Sequence, residues 1–403
     1  MTNRRLRVLY LSNAFPPGVT GRFPSLNPSG HATETRFGEA LGKLTELKSV
    51  GLLPGEVWGN LEPADGSIGL NHELLLWERK PELWHRWRSW RQLRQYYLEE
   101  VSRTGPIDVV LVRNLTPVFN CFVRWLRQQR PCPRIVLIFA DSSTLGRKMK
   151  FSRRLRYAFK PMQIPEERAI GAFDGCISFG IGTREYFESR GIPWLWMPSA
   201  FNFYYEPGAA AAQTGPIRFG YFGALAEHAS ILPTVEVFLK SQLPGTLHIC
   251  GFGKLSERLR ALAAENPSFR FDGLLQNQAD CLAWAQRVDV LINPRLPVWG
   301  LENSFPSKIF EFGMTGRAIL STRTGGVDEV LREEGFYIES GDFENSLRTK
   351  MRELSGMERG ELLRRGAVIR ERLLKEFTWD VQARRMTEFM EKLVAKPAAG
   401  SAS

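Results

Sequence analysis

Short, continuously apolar runs alternate with longer helical stretches along this chain, and that alternation limits the fold more than any other feature. Arg7–Ser12 reads RVLYLS, Asp108–Arg113 reads DVVLVR and Arg134–Ala140 reads RIVLIFA. Runs of this length without polar alternation are expected of strands buried on both faces, as in a parallel sheet. Further strands are expected at Leu47–Leu53, Gly175–Phe179 and Trp194–Met197, with helices at His31–Leu44, Pro81–Arg103 and Phe119–Gln129. Strands that alternate with helices predict an α/β fold with a doubly wound sheet covered on both faces.

A composition change then interrupts the pattern. Glu206–Gly215 reads EPGAAAAQTG, and such small residues with two glycines suit a linker. Beyond it the alternation restarts. Strands are expected at Ile217–Phe222, Gly245–Cys250, Phe269–Phe271, Val288–Asn293 and Ala318–Ser321, and helices at Ile231–Lys240, Lys254–Glu265, Asn277–Gln286 and Ser307–Thr315. The expected division is a Rossmann-like domain over residues 1–206, a linker over 207–215, a second Rossmann-like domain over 216–378, and a C-terminal helix over 379–396 that packs back on the first domain. Two such halves on a hinge are expected to face each other across a cleft, with ligands beyond the carboxyl ends of the strands.

Composition narrows the function classes. With 43% hydrophobic and 24% charged residues the chain is an ordinary folded protein, not a disordered one. No apolar run approaches the ~18 residues of a membrane-spanning helix, and the apolar core within Met1–Phe15 is too short for a signal peptide. Five scattered cysteines (Cys121, Cys132, Cys176, Cys250, Cys281) form no CxxC and no metal-ligand cluster, so reduced thiols in the cytoplasm are expected. The net charge of +11 suggests an anionic partner: nucleic acid, a membrane surface or a phosphorylated substrate. No zinc-finger spacing and no basic-aromatic RNA-binding signature is present, which argues against nucleic acid.

The most informative segment is Glu302–Val330, ENSFPSKIFEFGMTGRAILSTRTGGVDEV, which follows the strand VDVLINP. Asn303, Ser304 and Phe305 precede a helix whose first turn is expected to hold Ser307 and Lys308. A helix start offers unpaired N–H groups to a phosphate, Lys308 adds a full charge, and the Ser307 hydroxyl can donate. Glu311 falls on the same helix face as Lys308, where a carboxylate can accept bonds from the two hydroxyls of a ribose. The plainer alternative is that Ser307 caps the helix while Lys308 and Glu311 make a surface pair.

Together with four further segments in order, FPSKIFEFGMTGRAILSTRTGG resembles the donor half of glycosyltransferase family 4, retaining enzymes of the GT-B architecture. FGYFGAL (Phe219–Leu225) resembles the strand and glycine turn that open the donor domain. LHICGFGKLSERLRALA (Leu247–Ala263) resembles the strand, turn and helix that follow. FRFDGLLQNQADCLAWAQRVDVLINP (Phe269–Pro294) resembles the nucleobase side, and EFTWDVQARRMTEFMEKL the closing helices. The resemblance spans about Ile217–Leu393 and is loose in the N-terminal half. It implies a nucleotide-diphosphate sugar donor, most often UDP-linked. Glu311 would hold the ribose, Ser307 and Lys308 would meet the diphosphate alongside Ser304 and Phe305, and the backbone at Gly273 and Leu274 would face the base. Gly223 would let the chain approach the phosphates closely.

Two positions depart from the family pattern. The family often has two glutamates with seven residues between them; counting back from Glu311 gives Asn303, and the neighbouring Glu302 is one residue out of register. Asn303 can still hydrogen-bond a sugar hydroxyl. An Arg and a Lys that serve the diphosphate are replaced by Ala224 and roughly His228, so Lys308 or Arg295 is expected to supply the charge. In the N-terminal half PSGHATETRFGEAL (Pro28–Leu41) resembles the family's glycine loop and first helix, with Gly30 placed to approach the phosphate or the transferred sugar and His31 a lesser candidate. Asp141, after IVLIFA, sits where the family often has an acceptor-side His or Asp, although Asp at a strand end is also a common helix cap. No Asp-x-Asp occurs, and neither a metal nor a cofactor is expected; helix dipole, backbone donors and Lys308 would stabilise the leaving diphosphate.

Two basic stretches bear on partners. ELWHRWRSWRQLRQYYLEEV (Glu82–Val101) puts Leu83, Trp87, Trp90, Tyr97 and Val101 on one face, with Arg94 inside it. Such a helix either packs on the sheet or lies on an anionic membrane. GRKMKFSRRLRYAFK (Gly146–Lys160) is a second anion-binding candidate, for phospholipid or a lipid-linked diphosphate. The expected protein is a cytoplasmic enzyme at the inner membrane face that moves a sugar from a nucleotide donor to a glycan or lipid-linked saccharide. A sugar-nucleotide epimerase of the same plan and a non-catalytic nucleotide-sugar-binding subunit are the rival readings.

Overall fold

The computed structural model describes residues 4–16, 28–55, 70–140, 162, 164, 166–202, 204–206, 214–275, 277–296 and 304–396. The chain forms two compact units. The first comprises Met1–Asn202 with Trp379–Ser403, and the second Phe203–Thr378.

The first unit is built on seven parallel strands: β1 (Arg7–Ser12), β2 (Glu46–Pro54), β3 (Leu74–Glu78), β4 (Val109–Arg113), β5 (Arg134–Phe139), β6 (Gly175–Ser178) and β7 (Trp194–Trp196). Their order is β3-β2-β1-β4-β5-β6-β7, so the winding reverses between β1 and β4. Successive side chains on a strand point to opposite faces, and both faces are apolar here. Leu9, Leu11, Val110, Val112 and Leu137 face one layer with Leu93 of helix Glu82–Thr104 and Phe119 and Phe122 of helix Pro117–Leu126. Val8, Tyr10, Val109, Leu111 and Ile138 face the other, with Phe37 and Leu41 of helix Pro28–Leu44 and Ala383, Met386 and Met390 of helix Trp379–Ala395. Each such large side chain contributes about 1.5–3 kcal/mol on burial. Helix Pro117–Leu126 starts on a strong local signal: the Thr116 hydroxyl accepts the Phe119 N–H, and Pro117 takes the first turn.

Two features of this unit differ from the sequence expectation. Strand β3 was not anticipated, because LLLWE lies on the sheet edge and is only half buried. The apolar face expected on helix Glu82–Thr104 is instead a seam: Tyr97 is buried and Trp90 and Val101 pack against the core, whereas Leu83 and Trp87 are exposed. Arg94 fits that seam by stacking on the Trp90 and Trp125 rings, at 4.6 and 4.8 Å from their centroids.

The second unit repeats the plan with β8 (Arg218–Ala224), β9 (Thr246–Phe252), β10 (Phe269–Gly273), β11 (Val290–Asn293), β12 (Ala318–Thr322) and β13 (Phe336–Ile338). All pairs are parallel, in the order β10-β9-β8-β11-β12-β13, and the winding reverses between β8 and β11. Helix Lys308–Met314 follows β11 and buries Ile309, Phe310, Phe312 and Met314. Ridge and sheet are tied at the back: buried Asp289 accepts the Arg218 N–H and the Arg359 guanidinium, at 2.8 and 2.9 Å.

Candidate functional site

The reversal point of a doubly wound sheet leaves a crevice at the carboxyl ends of the two strands involved. In the second unit those ends are Gly223–Ala224 on β8 and Asn293 on β11. Lys308 enters this place. A Cβ added to Gly223 would lie 2.0 Å from Lys308 Nζ and would displace the tip of that side chain, and the φ of +142° is one that favours glycine. The ammonium rests 5.9 Å from the ring centroids of Tyr221 and Phe222. Glu311 Oε2 lies 3.8 Å from it, and both side chains are half-buried. An ion pair this long and this open contributes little to stability, which leaves the ammonium available to an incoming anion.

Neighbouring groups fix the protonation pattern. Burial pushes the Tyr221 hydroxyl well above its ordinary value, with Glu311 adding to the effect, so it stays protonated and donates to the Ala224 carbonyl at 2.9 Å. Burial likewise pushes the Cys250 thiol up to about 12, Cys281 and Asp272 adding and Lys308 opposing. These thiols are unreactive at neutral pH.

The segment ahead of Lys308 is held by a glycine turn. Gly325 has φ +71°, and a Cβ there would come within 2.6 Å of the Ser304 carbonyl oxygen. Phe305 is buried against Phe310, ring centroids 5.1 Å apart, so it offers backbone rather than side chain to a ligand. Ser307 makes no capping side-chain bond and the helix begins at Lys308, one residue later than its sequence suggests; the plainer reading of Ser307 as a cap is not what the fold uses. Asn293 donates to Ser321 Oγ at 2.8 Å, and the Arg295 carbonyl accepts from Thr322 and Thr324, which ties the ends of β11 and β12 together.

On the other flank, β10 ends in a bulge at Gly273. A Cβ there would meet nothing within 4 Å, and Leu274 is 63% exposed. Phe252, at the end of β9, is 62% exposed and was not singled out from the sequence. Its only local signal is its position between two glycines in CGFGK. These two large apolar side chains thus stand open at the ends of adjacent strands. Below them Asp272 accepts the Trp284 indole N–H at 2.7 Å, and His248 Nδ1 lies 3.7 Å away, its Nε2 within 2.8 Å of Thr246 Oγ1.

His248, together with the Trp284 donor, holds the Asp272 carboxyl below its ordinary range. A depressed carboxyl stabilises the fold above its unfolded titration and loses that stabilisation as pH falls through its folded one. Asp272→Asn is therefore expected to lower the melting temperature at neutral pH by an amount equivalent to about 1 kcal/mol and to shrink that difference in acid. Parallel melting curves of the two proteins at neutral and acid pH measure this. A difference that is constant across pH would show that the carboxylate charge is immaterial.

In the first unit, Gly30 lies in the first turn of helix Pro28–Leu44. One turn on, Glu34 is buried at the carboxyl ends of β1 and β4. It accepts the Ser12 hydroxyl at 2.7 Å and the Asn13 N–H at 3.1 Å, and faces Arg113 Nε at 3.2 Å. His31 is buried and its Nδ1 accepts the Phe15 N–H at 3.1 Å, so it ties the loop after β1 rather than standing open to a sugar. Glu34 and Arg113 were not singled out from the sequence; an Arg closing an otherwise all-apolar strand was their one signal. Asp141, Asn303 and the basic stretch Gly146–Lys160 lie outside the described residues, as does the side chain of His228. Among the described residues no group of three or more His, Cys, Asp or Glu is placed to hold a metal ion, and no helix is long and apolar enough to cross a membrane.

Residues 217–356, within the second unit, match the family model described as Glycosyl transferases group 1. No curated protein matches the sequence. Among solved structures, a glycosyltransferase from Rickettsia africae ESF-5 is similar with TM-score 0.63 and 11% identity, over 98% of this chain and 100% of that one. A sucrose-phosphate synthase from Thermosynechococcus elongatus gives TM-score 0.60 and 15% identity over 97% and 100%. The apo lipopolysaccharide outer core galactosyltransferase WaaB gives 0.62 and 13% over 96% and 100%. These likenesses establish the fold as GT-B.

Proposed function

We propose that the protein is a glycosyltransferase of the family 4 type that moves a sugar from a UDP-linked donor to a glycan or lipid-linked saccharide. The observation that carries this reading is the Lys308 ammonium lying over Gly223 at the β8–β11 reversal point, with Glu311 beside it. As the bond between the anomeric carbon and the phosphate oxygen breaks, negative charge grows on the leaving diphosphate. A cation already in place stabilises that charge without reorganisation. In the proposed arrangement Lys308 meets the diphosphate with the backbone at Ser304 and Phe305 and the Ser307 hydroxyl, Glu311 accepts from the ribose, and Phe252, Gly273 and Leu274 flank the base. Asn303 is assigned to a hydroxyl of the transferred sugar and Asp141 to the acceptor, both from their motif positions. The transfer is proposed to proceed with retention, by front-face attack of the acceptor hydroxyl, without a metal, and on the cytoplasmic face of a membrane.

A catalytically inert donor-binding subunit is the second reading, favoured by Ala224, whose exposed position holds no cation. A panel of nucleotides separates the two. UDP and UDP-sugars are expected to raise the melting temperature in a concentration-dependent way, and UDP-sugar is expected to be turned over by the purified protein. Stabilisation without transfer or hydrolysis would leave the binding subunit; no stabilisation by any nucleoside diphosphate would remove both.

A further inference from the structure

Helix Glu82–Thr104 has two opposite faces of different character. Ser89, Leu93, Tyr97 and Glu100 are buried against the sheet of the first unit. On the far side, at helical spacings of three and four, stand Trp84, Trp87, Arg88, Arg91 and Leu98, with Leu83 one turn before Trp87. Leu83 is 57% exposed, Trp84 50%, Trp87 45% and Leu98 50%. A helix that serves only to cover a sheet has no need of large apolar groups on its solvent side, and scattered single ones would not share a stripe.

The charges on this stripe are unusual in their partners. Arg86, nearer the sheet, pairs with Glu78 at 3.1 Å and Glu82 at 3.3 Å. Arg88 and Arg91 form no ion pair among the described residues; their guanidinium groups lie over Trp84 and Trp87, 5.4 and 4.7 Å from the ring centroids. Tryptophan beside arginine suits a bilayer interface, where the ring sits at headgroup depth and the guanidinium forks onto phosphate oxygens. Leu83 and Leu98 have no ring to stack on a nucleobase but do gain by entering acyl chains, which favours a bilayer over single-stranded nucleic acid.

We propose that this stripe docks the protein onto an anionic phospholipid surface, Arg88 and Arg91 against headgroup phosphates and Trp84 and Trp87 at the acyl boundary. The inference names the contact surface for the membrane location in the proposed function. It is read without any nucleotide sugar, so its failure leaves the donor site standing.

Cosedimentation of the full chain with vesicles tests it. Binding is expected to vesicles containing phosphatidylglycerol, to be weak to pure phosphatidylcholine, and to fall as salt rises. Trp84→Ser with Trp87→Ser is expected to reduce partitioning about tenfold or more, and Arg88→Gln with Arg91→Gln about thirtyfold, at the strength of two basic residues beside an anionic surface. Arg258→Gln with Arg352→Gln removes the same net charge from exposed positions in the second unit and is expected to change binding by less than about threefold, as diffuse charge does. All four substituted side chains of the stripe are exposed, so melting temperatures near wild type confirm folding. Equal losses in the stripe and control variants, no preference for the anionic vesicles, or capture of an oligonucleotide by the stripe in place of vesicles would each overturn the proposal.

Discussion

Lys308→Ala is expected to lower kcat/KM for sugar transfer by between thirtyfold and a thousandfold, about 2–4 kcal/mol of transition-state stabilisation, the size of a lost catalytic donor. Glu311→Ala is expected to cost a similar amount through the lost ribose contact. Neither change is expected to move the melting temperature much, because the Lys308–Glu311 pair is half-exposed and 3.8 Å long. Steady-state kinetics with a UDP-sugar and a melting curve for each variant separate the two effects. Full activity in either variant would remove that residue from the site. A large loss of stability with it would show that the pair is structural instead.

Arg113→Ala is expected to destabilise the first unit by about 3–5 kcal/mol, since it leaves the Glu34 carboxylate buried and without its cation. Glu34 also accepts from Ser12 and Asn13, so Glu34→Ala frees a buried donor in addition to stranding Arg113. The double replacement Glu34→Leu with Arg113→Met removes both charges together and is expected to cost less than either single change, because no unpaired ion remains. Urea unfolding midpoints of the three variants measure this. A double variant as unstable as the sum of the singles would mean that the two side chains act independently.

How legible this was in the sequence depended on whether a signal was local. β1, β4 and β5 are continuous apolar runs, and such runs are readable because a strand buried on both faces needs no polar residue. β3 is a shorter apolar run, LLLW closed by Glu78, that lies half-buried on the sheet edge and is flanked by charged residues, so its pattern is less distinct. The buried polar pair of Glu34 and Arg113 follows from the reversal of winding between β1 and β4, which is a property of tertiary order and not of either residue's neighbours. The placing of helix Glu82–Thr104 illustrates the same limit: its apolar residues spread around more than one face, and only the packing of Leu93 and Tyr97 decides which side meets the sheet.

The candidate site was legible in its parts and not in its assembly. The glycine at the end of β8, the lysine and the glutamate were each readable as residues of a type that diphosphate chemistry needs. That the Lys308 side chain crosses directly over Gly223 depends on the adjacency of β8 and β11, two strands far apart in the chain. Ser307 as a cap was plausible from residue preference alone, yet the segment is fixed by the Gly325 turn instead, a contact no local propensity encodes. Phe252 carries little signal because an aromatic residue between glycines reads as turn filler, and only the parallel pairing of β9 with β10 brings the exposed Phe252 and Leu274 to adjacent strand ends.

The central claim is that the Lys308 ammonium over Gly223 receives the diphosphate of a nucleotide. A crystal structure of the protein soaked with UDP tests it most directly. The expected result is phosphate density within hydrogen-bonding reach of Lys308 Nζ and ribose density at Glu311. UDP bound elsewhere, or no UDP at saturating concentration, would contradict it.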